Sequence, residues 1–289
     1  IFMDADDYFN IDCNKVIDFI KKETVYRNGF TFNRVTNRKI KAIIPVHVWG
    51  NGVWMDDLID ICADRNIKIV EDASESLGTK YTKGKYSGSH AGTIGKFGCI
   101  SFNGNKIITS GGGGMILTDD EGLARKARYL TTQAKDNPLN YTHHEIGYNF
   151  RLTNMQAALG LAQLEQLPKF LEKKLDIFNK YRKRIEKIKG LSIYETPAYS
   201  KNNHWLNILK IDSDIYGLNS NQLMKKLHSQ NIQVRPVWKL NHHQTPYKTC
   251  QSYRIEKSPQ FVNCSLCLPS SVNLSDDDIN EVCNNLKHE

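Results

Sequence analysis

Apolar residues recur along this chain in short runs, and the runs change period. Residues 40–48, IKAIIPVHV, read as a buried strand. Residues 55–66, MDDLIDICADRN, move to helical spacing, so that Leu58, Ile59, Ile61 and Cys62 share one face. Residues 67–74, IKIVEDAS, are again an apolar strand and end in acids. A strand, a helix and a strand at this spacing make a βαβ unit, which predicts a parallel sheet. Further strands are expected at 96–103, KFGCISFN, and at 114–120, GMILTDD. Ile1-Phe2-Met3 reads as the end of another strand that starts in mid-pattern, so an N-terminal portion is expected to be missing.

From Glu121 the period becomes helical. EGLARKARYLTTQ (121–133) predicts one helix, and 153–188 predicts a long one that Pro168 should kink or divide. A second, smaller α/β unit follows. NHWLNILKI (203–211) and IQVRPVW (232–238) are its expected strands, and NSNQLMKKLHSQ (219–230) and SDDDINEVCNNLKHE (275–289) its helices. The expected division is a large domain with an interdomain helix over 1–170 and a small domain over 171–289.

Composition narrows the classes. A 40% hydrophobic fraction over 289 residues supplies a core, and no run of 18 apolar residues predicts a membrane span. The opening IFMDADDYFNID lacks the basic and apolar regions of a signal peptide. Seven irregularly spaced cysteines suit reduced thiols in a cytoplasm, and the lone Cys264-Ser265-Leu266-Cys267 does not make a zinc site, so no metal is expected. The net charge of +8 owes much to KFLEKKLDIFNKYRKRIEKIKG, where a solvated helix face explains it. Attraction for an anionic substrate is the sharper alternative. No nucleic-acid motif accompanies the charge.

The candidate chemistry lies at strand ends, where α/β sheets collect functional groups. Asp72 follows IKIV, Ser101 closes the next strand, and Lys106 stands before Gly111–Gly114. Three of these features have ordinary readings: a helix cap for Asp72, a surface lysine for Lys106 and a plain turn for the glycines. Together they are what pyridoxal phosphate needs. That cofactor takes a lysine amine, a carboxylate for its pyridine nitrogen, and donors for its phosphate. Glycines allow close backbone approach and unusual dihedrals.

KAIIPVHVWG, IVEDASESLGTKY, SFNGNKIITSGGGG, GYNFRLTNMQAALGLAQLEQL, VRPVW and LCLPSSVNLSDDDI occur in that order, and as a set they resemble the DegT/StrS-type sugar aminotransferases across essentially the whole chain. The resemblance implies an α/β, fold-type-I (aspartate aminotransferase-like) transferase that uses pyridoxal 5'-phosphate. It implies an amino group moved from glutamate to the C4 ketone of a nucleotide-linked keto-deoxysugar. EDASES and FNGNKIITSGGGG look closest to the branch serving legionaminic acid-type sugars. By resemblance Lys106 is the Schiff-base lysine, Asp72 the partner of the pyridine nitrogen, and Ser101 a phosphate ligand. Glu75 stands where most members carry Gln beside the cofactor ring. Asn149 matches a residue reaching the phosphate of a neighbouring subunit, with Arg151 close by, which implies a homodimer with shared active sites. His47 and His242 match positions near the substrate, although a satisfied core histidine explains either equally well. The family's longer N-terminal segment, with the aromatic that stacks on the ring, has no counterpart here. Two alternatives stand beside this reading. One is a sugar dehydratase of the same fold, against which Lys106 argues, since those enzymes resemble this family but replace that lysine with histidine. The other is a non-catalytic truncated paralogue that binds a nucleotide sugar.

Overall fold

Of the five sheets among the described residues, two four-stranded ones carry most of the core, and a third cluster of apolar side chains lies between the loops around them. The computed structural model describes residues 1–137 and 139–287. The first sheet has the order Ala42–Ile43, Lys68–Asp72, Phe97–Ser101, Gly114–Leu117. Its first three strands are parallel and the last is antiparallel. Helix Met55–Asp64 makes the crossover and buries Met55, Leu58 and Cys62 in the same apolar cluster as Ile69. Asp56 and Asp57 in its first turn complement the helix dipole. Gly98 is required in this sheet, because a Cβ there would sit 1.8 Å from the Gly92 carbonyl oxygen.

The strand expected over 40–48 is shorter. Only Ala42–Ile43 forms a regular pair with Lys68 and Ile69. Pro45 has no N–H to continue the ladder. The pairing resumes as a bridge: Asp72 N–H donates to Pro45 O at 2.9 Å and His47 N–H to Asp72 O at 3.0 Å.

The long helical stretch divides at Gln166 into Asn154–Glu165 and Leu167–Ile185. Thr153 and Gln156 form a capping box on the first. Pro168 lies in the first turn of the second, where its missing N–H has no helical partner to lose. The helix Leu167–Ile185 buries Ile177, Phe178, Tyr181 and Ile185 in a cluster shared with Leu209, Leu223, Leu266 and Ile279. The sheet beneath is antiparallel, in the order Leu191–Ile193, Asn207–Ile211, Ser265–Leu268, Arg235–Pro236. Helices Ser220–Ser229 and Asp276–Asn285 contribute to the same cluster. Residues 288 and 289 of the expected closing helix lie outside the described residues.

The strands expected at 203–211 and 232–238 shrink to Asn207–Ile211 and Arg235–Pro236. Side-chain oxygens of Asn202 and Asn203 accept from the backbone N–H groups of His204 and Trp205, and His204 has φ 50°. These local bonds turn the chain away from extended pairing.

The first residues are tied to a distant part of the chain. Phe2–Met3 pairs in parallel with Ser252–Tyr253. The buried Asp4 carboxylate accepts from the backbone N–H groups of Glu256, Lys257 and Ser258 and pairs with Lys15 at 2.6 Å. Among the described residues no helix is long and apolar enough to cross a membrane. The third cluster, with Trp49, Ile107, Trp205, Ile208, Val237 and Cys267, draws on the second sheet through Ile208 and Cys267 and on loops that follow strands of the first through Trp49 and Ile107.

Candidate active site

Lys106 projects into this third cluster from the loop after Phe97–Ser101. The loop folds on itself: Lys106 N–H donates to Asn103 O at 3.1 Å, and Phe102 N–H to Gly113 O at 3.0 Å. Two glycines there have positive φ, Gly111 at 79° and Gly113 at 82°. At Gly113 a Cβ would also meet Leu152 at 2.3 Å, so this glycine serves both dihedral and approach.

The Lys106 side chain is only 13% exposed, with Nζ 3.9 Å from Glu75 Oε1. Its other face meets the Trp205 ring, 4.1 Å from the centroid. Burial pushes the ammonium below the ordinary lysine range, while Glu75 and Asp72 push it back in part. A lysine lowered this way is closer to a usable amine nucleophile.

Glu75, 11% exposed, has the opposite shift: burial raises its carboxyl, against the Trp49 N–H and Lys106. Its Oε2 accepts from Trp49 N at 2.8 Å. Trp49 has φ 51°, a left-handed conformation that aims this N–H. The Trp49 turn is held from behind by His47. His47 Nδ1 accepts from Val53 N at 3.0 Å, so its proton sits on Nε2 and goes to Glu71 Oε2 at 2.9 Å. Glu71 is fully buried and also accepts from Gly92 N at 2.9 Å, Ile94 N at 2.6 Å and Gly95 N at 2.5 Å.

Asp72 ends its strand half-buried. One carboxylate oxygen accepts from Ser74 N at 3.1 Å, an Asx turn rather than a helix cap. Its other oxygen accepts no hydrogen bond among the described residues. Asp72 lines an open cavity of about 1240 Å³, together with Val46, Trp49 and Trp238. Ser101 closes the next strand opposite Gly114, and its Oγ accepts from Asn103 N at 3.3 Å.

The remaining candidates stand elsewhere. His47 is fully buried in the core pair with Glu71, which is the satisfied core histidine of the two sequence readings. His242 is half-buried in the turn Asn241–His243, with its ring 6.2 Å from Phe2 and 4.2 Å from His243. Asn149 and Arg151 lie on an exposed stretch, where Asn149 bridges Thr132. Residues that sequence reasoning did not single out complete the site: Trp49, Trp205 and Trp238, with Lys174 behind them. The Lys174 ammonium is buried and donates to the carbonyls of Trp205, at 2.9 Å, and of Ser270. Burial lowers it to about 8.

Comparison with known proteins gives this geometry a family. A model of the DegT/DnrJ/EryC1/StrS aminotransferase family matches residues 1–287, and the chain belongs to that family. It is 38% identical over 252 residues to EpsN of Bacillus subtilis (strain 168), provisionally named a pyridoxal phosphate-dependent aminotransferase. That match takes in 86% of this chain and 63% of EpsN. It is 30% identical to a GDP-perosamine synthase of Vibrio cholerae, over 88% of this chain and 68% of the relative. The chain thus spans about two thirds of the length of these relatives. The fold is that of a DegT DnrJ EryC1 StrS aminotransferase from Brucella abortus, at TM-score 0.83 and 24% identity over 99% of this chain and 72% of that one. The expected fold-type-I architecture, α/β with a parallel sheet, is therefore the observed one.

Proposed function

We propose that this member of the DegT/DnrJ/EryC1/StrS family is a pyridoxal phosphate-dependent aminotransferase acting on a nucleotide-linked keto-deoxysugar in bacterial surface-polysaccharide or glycan synthesis. The observation that carries the reading is Lys106: a nearly buried amine, lowered by burial, facing one carboxylate and near a second. The residues fit the cofactor. Asp72 offers a carboxylate oxygen without a hydrogen-bond partner to an open cavity that Trp49 and Trp238 also line. Ser101 offers a hydroxyl at the adjacent strand end. Nucleotide-linked sugars supply the anionic charge that a basic chain attracts.

In this site Asp72 would hold the pyridine nitrogen, Ser101 the phosphate, and Glu75 would stand beside the ring. When bound, pyridoxal phosphate supplies the electron sink for breaking a bond at the donor's α-carbon. Lys106 Nζ acts as nucleophile and then, when free, as the base that holds and moves the proton. Glu75 keeps a negative charge near that amine, and its Trp49 anchor fixes where the charge sits. The buried rings of Trp49 and Trp205 exclude water around it.

Finer assignments belong to the same proposal. The C4 ketone, the glutamate donor and the legionaminic acid-type branch rest on the motifs at 71–76 and 102–114. The perosamine synthase relative supports a nucleotide-sugar substrate of the same general kind. A cytoplasmic homodimer, with Asn149 and Arg151 reaching a neighbour's site, is supported by the exposed apolar side chains around them. Ile146 is 85% exposed, Phe150 71% and Met155 85%. Lys106, where the related dehydratases carry histidine, favours amino transfer.

The test is a spectrum with pyridoxal phosphate before and after borohydride, followed by peptide mapping. A reduced cofactor attached to Lys106, and none in Lys106→Ala, is expected. No attachment in the wild-type chain, or attachment elsewhere, removes the reading and leaves the nucleotide-sugar binder.

A further inference from the structure

We infer that Trp205 is the positioning residue for Lys106: its indole face receives the lysine ammonium while its Nε1–H holds the neighbouring Asn105 carbonyl. The inference rests on the reading of Lys106 as the reactive amine. Its evidence is a two-point grip. Lys106 Nζ lies 4.1 Å from the centroid of the Trp205 ring. Trp205 Nε1–H donates to Asn105 O at 2.7 Å, so the backbone of the residue just before Lys106 is fixed by the same side chain.

Trp205 is itself held on every side. Its N–H donates to Asn203 Oδ1 at 2.9 Å. Its carbonyl accepts from Lys174 Nζ at 2.9 Å. Asn203 in turn donates through Nδ2 to the carbonyls of Glu75 and Leu77, both at 2.9 Å. The loop bearing Lys106, the turn bearing Glu75 and helix Leu167–Ile185 therefore meet at one tryptophan and its neighbour. Such fixing suits an amine that must return to one place each time it is released.

An aromatic face attracts a cation through its quadrupole, by an amount that grows as water is removed. The charged and titratable groups around Lys106 are Glu75 and Asp72 on one side, with the Cys267 thiol near Glu75 held neutral by burial. Lys174 approaches Trp205 from its carbonyl. Removing the ring outright would also admit water, which acts in the opposite direction. The clean perturbation changes the ring's electrons and leaves its volume nearly constant.

The experiment places mono- to tetrafluorinated tryptophans at position 205 by codon suppression. It then measures the pH midpoint of Lys106 acylation in the cofactor-free chain, by competitive isotope labelling and peptide mapping, with exposed Lys183 as internal standard. The midpoint is expected to fall with each added fluorine, by roughly half to one and a half pH units in total. A midpoint that stays flat across the series overturns the role of the ring face. Trp205→Phe keeps a face but loses the N–H. Amide exchange in the 102–108 peptide is then expected to quicken roughly two- to tenfold, and unchanged exchange overturns the backbone grip. Both readouts use the chain without cofactor, so failure to bind pyridoxal phosphate would defeat the functional reading and leave these results standing.

Discussion

Glu71→Gln isolates the buried support of the site. In the native chain the carboxylate accepts four hydrogen bonds, two at each oxygen. Glutamine keeps one acceptor oxygen and turns an NH₂ group toward donors that already point inward. Two charge-assisted bonds are lost, each worth about 1.5–3 kcal/mol. The expected cost is about 4 kcal/mol, in line with breaking other buried pairs. An unfolding entropy of about 2.1 cal/mol/K per residue gives about 0.6 kcal/mol/K over 289 residues. The thermal midpoint should therefore fall by roughly 7 °C at pH 7. The pH dependence has a defined sign. Burial raises the Glu71 carboxyl, but His47 and the backbone N–H groups more than offset this, so its folded value is below the ordinary 4.5. Its stabilisation is complete above pH 4.5 and is lost as pH falls through the folded value. The gap between wild type and variant should thus be full at pH 7 and narrow on acidification below 4.5. Circular dichroism melts across pH 3–8 measure it. A variant melting within about 1 °C of wild type at pH 7 would refute the claim that Glu71 and His47 hold the Trp49 turn.

Three further outcomes follow from the same geometry. Glu75→Gln keeps the Trp49 hydrogen bond and removes the charge 3.9 Å from Lys106, so the acylation midpoint of Lys106 should fall by about one to two units, below the ceiling of about 4 kcal/mol that Coulomb's law allows at an effective dielectric of 20; an unchanged midpoint would show that the carboxylate is not an ion-pair partner. Lys174 is lowered to about 8 in the folded chain against 10.5 ordinarily, so between these values the unfolded state binds more protons and wild-type stability should rise with pH; denaturant titrations of Lys174→Met should lack that rise, and a parallel slope would mean that Lys174 titrates normally. Met155→Glu puts a charge on the exposed apolar stretch, and should weaken self-association at least tenfold in analytical ultracentrifugation; an unaltered association constant would place the interface elsewhere.

The sequence conveyed those parts of the site that reside in single residues at strand ends. Lys106, Asp72 and Ser101 could be proposed because a short, mostly apolar run precedes each. The pattern failed where local bonds compete with it. NHWLNILKI looks extended throughout, yet Asn202 and Asn203 bind the backbone beyond them and delay the strand until Asn207. Trp205 therefore sits in a turn, and its contact with residues 105 and 106 spans a hundred positions that no local period records. Lys174 belongs by composition to a basic helix face, but its position on the helix points inward. Helix Cys13–Lys22 did leave a signal: Asp12 caps it, and Val16, Phe19 and Ile20 form its buried stripe. Its apolar positions are too few to stand out beside the strands that follow.

The tie between the first residues and a segment far along the chain also sets a timetable. Asp4 finds Ser258 across 254 residues, and Lys174 finds Ser270 only when both are available. A ribosome adding about 5–20 residues per second needs roughly ten to fifty seconds to cover such a span. Through that interval the opening strand has no edge to join, and the tryptophan that fixes Lys106 lacks part of its support. The lysine is made early and its pocket is finished late. Competence to capture a cofactor should therefore arise only once residues 252–270 have been made, not gradually along the chain.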